Sequence, residues 1–369
     1  MNIGIIGLNV NNMELNYGTI LHTWAFKEFL ISENYCSSDE IEIINYFPQH
    51  SQGRICKYPF KYYLTNRQYS QGLKYVLFRK PYADRYDLFE DFKQRHFKIS
   101  KPYDLQTLES EALRYDIIIV EADTVWAKLG GRYDPAFFLA LKSMQNSKRI
   151  AYAPDVGPKK PSDKDISEMT ALMKGIDYIS GRGQHSTDVI RKCTNLQVAN
   201  VIDPTLLISL DHYNTICGRR MIDERYVFVY LVGDNRDMYQ EAKKYARKHG
   251  IRIMVMTSRI TKRSFFSHIG RNYALGVEDF ISAIRYSECV FTNSFHGICL
   301  SIVYKKNFYA YSREGSKIED LCTMCGLESR IRHKDITPKA SKIDYGTVDA
   351  KMRIAIDYSE NWLRNAIRM

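Results

Sequence analysis

His296 stands in the run Thr292-Asn293-Ser294-Phe295-His296-Gly297, and an imidazole can both give and take a proton near neutral pH. At an ordinary pKa near 6.5, it would put a bend in an activity profile between roughly pH 5.5 and 7.5. Arg182, in Ser180-Gly181-Arg182-Gly183, offers a planar fork that pairs with a carboxylate or a phosphate. Asp123, at the end of an apolar run, can accept a hydroxyl proton or orient a hydroxyl, although an aspartate there also suits a cap. Asn16-Tyr17-Gly18 and Asn293-Ser294 each open a helical pattern, where backbone amides and a partial positive charge favour an anion. The glycine can equally serve to shape a turn. Arg313 and Lys317 follow a further strand pattern and face either the cleft or solvent. Together these residues describe acid–base chemistry beside an anion pocket, with Asp123, His22 and His268 as further candidates for proton transfer.

Positioning them requires strands that end together. Short β-branched runs alternate with longer helical patterns, the appearance of a doubly wound α/β fold. The strands predicted in the first half are Ile3 to Gly7, Ile41 to Phe47, Asp116 to Glu121, Arg149 to Ala153, Tyr178 to Ser180 and Val198 to Ile202. Those of the second half are Tyr226 to Val232, Arg252 to Met256, Glu288 to Thr292 and Phe308 to Tyr311. Leu21, Trp24, Ala25 and Phe29 share one face of a predicted helix. The aromatic and basic stretch from Tyr58 to Phe97 reads as helical hairpins or an insertion, with a surface suited to packing, sugar rings or a lipid headgroup region. The expected division is an N-terminal Rossmann-like domain over 1–207, a second over 208–345, and a C-terminal helix over 346–369 that caps the core or crosses back. Two such domains leave a cleft between the carboxyl ends of their sheets, where ligands of open α/β folds bind.

Lys and Arg outnumber Asp and Glu by 53 to 42, a formal charge of +11, which favours polyanionic partners. The basic residues are dispersed without a nucleic-acid-binding motif, so phosphorylated small molecules or an anionic membrane surface are preferred over nucleic acid. The N-terminus lacks the features of a signal peptide and no apolar run is long enough to span a bilayer. A cytoplasmic protein is expected, peripheral at most to the inner face of the membrane. The cysteines lie among apolar neighbours and read as reduced thiols. Cys322-x-x-Cys325 lacks further ligands at zinc spacing and reads as a buried helix face, and no metal is expected.

Four stretches in this order resemble the polysaccharide pyruvyl transferase family: Asn16-Tyr17-Gly18, Tyr152-Ala153-Pro154-Asp155-Val156-Gly157, Asp203-Pro204-Thr205-Leu206-Leu207, and the segment from Thr292 to Gly297. The resemblance implies a glycosyltransferase-B-like pair of Rossmann-like domains with the active site between them. It also implies phosphoenolpyruvate as co-substrate without a further cofactor, and a pyruvate ketal formed on a sugar of a polysaccharide precursor for exopolysaccharide or capsule. The acceptor would be a lipid-diphosphate- or nucleotide-linked sugar. His296, Arg182 and Asp123 become the catalytic candidates, with Asn16, Tyr17, Gly18, Asn293, Ser294, Arg313 and Lys317 around the substrates. Two turns depart from the family pattern: Glu121-Ala122-Asp123 replaces Gly-Ser-Asp, and Ser180-Gly181-Arg182-Gly183 keeps the arginine of Ser-x-Arg-Glu but loses the acid. The main alternative is a nucleotide-sugar-dependent glycosyltransferase of the same architecture. A diverged, non-catalytic member and a nucleic-acid-binding module are lesser ones.

Overall fold

Strands buried on both faces must be apolar along their whole length, and the runs IGII, IIIVE and YVFVYL are buried throughout. They form two parallel sheets in a computed structural model that describes residues 1–8, 15–48, 56–259, 273–313, 315–332 and 342–368. The first sheet contains β1 (Ile3–Ile6), β2 (Ile41–Ile43), β3 (Ile117–Glu121), β4 (Lys148–Tyr152), β5 (Tyr178–Arg182) and β6 (Ala199–Val201), in the order β2-β1-β3-β4-β5-β6. The second contains β7 (Tyr226–Leu231), β8 (Arg252–Thr257), β9 (Cys289–Thr292), β10 (Asn307–Tyr311) and β11 (Ile331–Arg332), in the order β11-β10-β9-β7-β8. The two-domain Rossmann-like layout expected from the alternating pattern is therefore the observed one. Strand order reverses between β1 and β3 and again between β7 and β9, the points where such sheets open a crevice.

The first half carries α1 (Tyr17–Ser32), α2 (Phe60–Thr65), α3 (Tyr69–Leu77), α4 (Arg79–His96), α5 (Leu105–Ser110), α6 (Asp163–Leu172) and α7 (Gly183–Arg191). After these come α8 (Leu210–Thr215), α9 (Arg236–His249), α10 (Val277–Arg285), α11 (Phe295–Val303), α12 (Lys317–Cys325) and α13 (Tyr345–Arg368). The aromatic stretch after Tyr58 is thus helical, forming α2 to α4.

α1 departs from the one-faced helix expected of its sequence: from Tyr17 to Leu30 all but one of its residues are buried. A helix apolar all round belongs inside a structure, and α1 lies between the two domains. Its Tyr17 ring stacks on Phe280 of α10 at 4.6 Å, and Trp24 meets Tyr213 of α8 at 5.4 Å. From α4, the wholly buried Arg85 donates to the carbonyls of Leu15 and Thr257 at 2.5 and 2.9 Å and lies over the Tyr17 ring. α13 returns to the first sheet, where Ser359 accepts the amide of Ile202 at 3.0 Å and Lys148 donates to the carbonyl of Ile367. Cys322 and Cys325 are buried thiols in α12.

Candidate active site

The carboxyl ends of β3, β4 and β5 and the turn after β6 each deliver one charged side chain to the same point. Arg182, the last residue of β5, is buried. Its Nη1 donates to Asp203 at 2.5 Å and its Nη2 to Asp155 at 2.9 Å, with Asp123 3.6 Å from Nη2. Asp203 also caps the short turn Pro204–Leu206, accepting from the Thr205 amide at 3.0 Å and hydroxyl at 2.6 Å. Asp155 accepts from the Gly157 amide at 2.7 Å.

Two consecutive non-glycine residues after β3, Ala122 and Asp123, have left-handed backbone at φ 44° and 53°, and Ala153 after β4 has φ 55°. Such conformations cost on the order of 1–3 kcal/mol each and persist only where the surroundings enforce them. Here the Asp155 amide donates to the Asp123 carbonyl at 2.8 Å, tying the two turns together.

His296 reaches this cluster from the other domain, in the first turn of α11. Its Nε2 lies 3.6 Å from Asp203 and makes no hydrogen bond among the described residues. The strand-to-helix turn that carries it is locked. Thr292 donates to the carbonyl of Tyr230 at 3.0 Å, Asn293 brackets Val232 by accepting its amide at 2.8 Å and donating to its carbonyl, and Ser294 caps α11 by accepting from Gly297. The side-chain amide of Asn293 is therefore occupied in joining the loops after β7 and β9, at the point where strand order reverses.

A second imidazole lies behind the first. His22 of α1 stacks on His296 with ring centroids 5.6 Å apart. Its Nδ1 contacts Glu121, the last residue of β3, at 2.7 Å; Thr23 donates to the same carboxylate, and Nε2 is 4.0 Å from Asp123. Both His22 and Glu121 are fully buried. The replacement at Glu121 is thus the counter-ion of a histidine beside the candidate catalytic residue.

Electrostatics separate the two imidazoles. Burial depresses His296, Asp203 and Asp123 offset part of that, and the neighbouring His22 adds to the depression, so His296 titrates below its ordinary 6.5 and is the free base at neutral pH. Burial acts on His22 in the same sense, but Glu121 first, then Asp123 and Asp203, outweigh it and hold its titration above the ordinary value. Burial also raises the Glu121 carboxyl, so this pair keeps a proton. Burial works to raise Asp155, Asp203 and Asp123, yet all three stay below the usual carboxylate range. Arg182 and Lys317 hold down Asp155 and Asp123, while His296 and Arg182 hold down Asp203. Environments that push neighbouring titratable groups apart separate acid from base.

Other sequence-predicted residues fall around this centre. Gly18 lies directly against the His296 imidazole. Asn16 caps α1 by accepting the Gly18 amide at 3.0 Å, and the buried Tyr17 donates to the carbonyl of Leu275 at 2.8 Å, packing the seam between domains. Lys317 opens α12 with its ammonium 6.0 Å from the Phe295 ring, while Arg313 is exposed after β10. His268 lies outside the described residues. A cavity of about 450 Å³ runs from Arg182, Asp203 and Phe295 past Lys317 to Leu321 and Met324. A smaller niche of about 40 Å³ is lined by Thr124, His185, Ser186 and Lys317.

Asp155, Asp203 and Glu121 were not picked out from sequence as site residues. Each directly ends or follows a strand, and an acid at a carboxyl edge was the available signal. At the turn lacking the family's acid, a carboxylate is supplied from the other domain: Asp320 of α12 accepts from the Gln184 amide at 3.2 Å. A Cβ on Gly183, itself at φ 76°, would come within 2.8 Å of that carboxylate.

Several solved structures align with nearly the whole chain at low identity. A protein from Listeria monocytogenes described as a UDP-N-acetylglucosamine 2-epimerase aligns over 99% of this chain and 90% of its own, at 10% identity and a TM-score of 0.46. UGT89C1 of Arabidopsis thaliana, solved with UDP, covers 97% and 90% at 9% identity and a TM-score of 0.43. The ADP-heptose lipopolysaccharide heptosyltransferase II of E. coli covers 98% and 100% at 10% identity and a TM-score of 0.36. No curated protein matches the chain significantly. The sequence profile of the polysaccharide pyruvyl transferases matches residues 45–315, a span that holds Asp123, Arg182, Asp203 and His296, and the chain belongs to that family.

Proposed function

We propose that this protein forms a pyruvate ketal on a sugar of a bacterial cell-surface polysaccharide precursor, with phosphoenolpyruvate as donor, at the cytoplasmic face of the membrane. The observation that carries the reading is His296, the free base at neutral pH, held 3.6 Å from Asp203 at the meeting point of both sheets. Ketal formation adds a sugar hydroxyl across the enol double bond, its oxygen to the phosphate-bearing carbon and its proton, relayed by His296, to the methylene carbon, and then breaks the carbon–oxygen bond to phosphate. A second hydroxyl then closes onto the same carbon. Of the two hydroxyl protons, one ends on the new methyl group and the other leaves with phosphate.

His296 takes the proton of the attacking hydroxyl, and Asp203 supports the imidazolium that forms. Asp123, held ionised, orients the hydroxyl. Both Nη groups of Arg182 are engaged by aspartates, so the donor anions meet its Nε, which has no hydrogen-bond partner among the described residues, together with Lys317.

The test is incubation with phosphoenolpyruvate and a panel of lipid-diphosphate- and nucleotide-linked sugars, scored by mass spectrometry for a pyruvyl ketal and by phosphate release. Glycosyl transfer from a nucleotide sugar with phosphoenolpyruvate inert would replace this reading with that of a glycosyltransferase.

A further inference from the structure

Of the eleven large apolar side chains exposed among the described residues, six lie between Tyr58 and Leu77. On α3 they fall at Tyr69, Leu73, Val76 and Leu77, the spacing of one helical face, and that face points outward: Tyr69, Leu73 and Leu77 are 63, 57 and 59% exposed. Leu64 of α2 flanks the same face, 44% exposed. The opposite side of the hairpin is the packed one, where Tyr75 stacks on Tyr63 at 5.0 Å and meets Tyr82 of α4 edge-on at 4.9 Å.

Charge singles out the same segment. No Asp or Glu occurs between Cys56 and Ala83, whereas Lys57, Lys61, Arg67, Lys74, Arg79 and Lys80 all do. Lys57 and Lys80 pair with Asp87 and Asp84 of α4, while Lys61 and Arg67 stand exposed beside Leu64. An outward apolar stripe set among cations without a local acid is the pattern of a helix lying in the interface of an anionic bilayer. A partner protein would not require one-signed charge, and nucleic acid would not require the leucines.

We propose that α2 and α3 form a docking surface for an anionic lipid membrane, the apolar face of α3 entering the headgroup boundary while Lys61 and Arg67 meet lipid phosphates. No described helix is long and apolar enough to cross a membrane, so the contact is a surface one. The hairpin continues into α4, whose Arg85 is bonded into the seam beside Tyr17. Docking there fixes the orientation of the cleft toward the bilayer. Resting on the pyruvyl transfer proposed above, this selects a lipid-diphosphate-linked sugar as acceptor over a freely diffusing nucleotide sugar.

The experiment is co-sedimentation of the full chain with vesicles of phosphatidylcholine alone or with phosphatidylglycerol, at low and high salt, without substrate. The parent should bind only the anionic vesicles and be released by salt, because exposed charges are screened beyond about 8 Å at physiological ionic strength. The double variant Leu73→Asp, Leu77→Asp should lose about tenfold or more in partitioning at low salt, and Lys61→Gln with Arg67→Gln should bind less and depend less on salt. These residues are exposed, so folding survives their replacement, which circular dichroism checks. A parent that ignores anionic vesicles at low salt, or hairpin variants that bind as the parent does, would overturn the proposal. So would binding to random duplex RNA without vesicle binding, or self-association abolished by Leu73→Asp in a protein that ignores vesicles. Vesicle binding is read without turnover, so it stands or falls apart from the pyruvyl reading. The acceptor inference is checked separately: the leucine double variant should lose turnover on a vesicle-embedded lipid-linked sugar and keep it on a soluble one, and equal loss on both would refute it.

Discussion

Gly18 of the first domain presses its bare Cα against the imidazole of His296 in the second: a Cβ built there would stand 2.1 Å from Nδ1. In an ordinary helix, Gly→Ala stabilises by roughly 0.5–1 kcal/mol. Here the methyl group must displace the ring or part the domains. Gly18→Ala should lower kcat/KM by about a hundredfold, the effect of misplacing a catalytic group by an ångström or so. Steady-state kinetics together with a denaturation curve check this, and parent-like kinetics in a folded variant would show that the ring position does not matter.

His296→Gln should abolish ketal formation while leaving the protein folded, since a positioned base contributes about 10²–10⁴-fold. A structural histidine would instead lower stability, with rate following in proportion. A variant within tenfold of the parent in phosphate release would return the role to His22 or Asp123.

The acid limb of kcat/KM should lie below pH 6.5, not across the 5.5–7.5 window expected of an unperturbed histidine, because burial and His22 depress His296. Neutral imidazole, the active form, accumulates as pH rises through its depressed pKa, so activity is lost only on further acidification. His22→Gln removes the neighbouring cation and should move the limb up in pH. Side-chain NMR titration of His296 in the substrate-free protein reads the same shift directly. A purely structural His22 would leave it in place.

Arg182→Ala should destabilise the fold before any effect on donor affinity can be read, by about 3–5 kcal/mol at pH 7, because it leaves Asp155 and Asp203 buried without their cation. In the parent their folded pKa values are depressed, so the stability they confer is present above the unfolded value near 3.9 and is lost as pH falls through the folded ones. In the variant, burial raises them instead, and stability falls as pH rises above about 4. The gap between the two proteins should therefore widen from pH 4 to 7, measured by urea denaturation. A gap independent of pH would mean that the aspartates are not held by Arg182.

Local chemistry made the strands legible. Each of the ten strand patterns read from apolar runs overlaps an observed strand, although the run from Ile41 to Phe47 keeps only Ile41–Ile43, because a buried strand carries its environment in its own residues. The two-residue β11 had no run long enough to register. The turns at Asn16, Pro154, Pro204 and Asn293 were also readable, since caps and prolines act within a few residues. What sequence could not convey was convergence. Asp123, Asp155 and Asp203 end separate elements, and only the order of β3, β4, β5 and β6 in a parallel sheet brings them to one arginine. Arg182 therefore looked like a free anion-binding fork, although both its Nη groups are spent on carboxylates. The same holds for Gly18, whose missing side chain makes sense only once another domain's imidazole occupies the space. It holds for α3 as well, whose apolar stripe faces outward because Tyr63, Tyr75 and Tyr82 pack the other side of the hairpin. A residue's environment within its own element is set by neighbours along the chain, whereas its partner across a cleft is set by sheet order and domain docking.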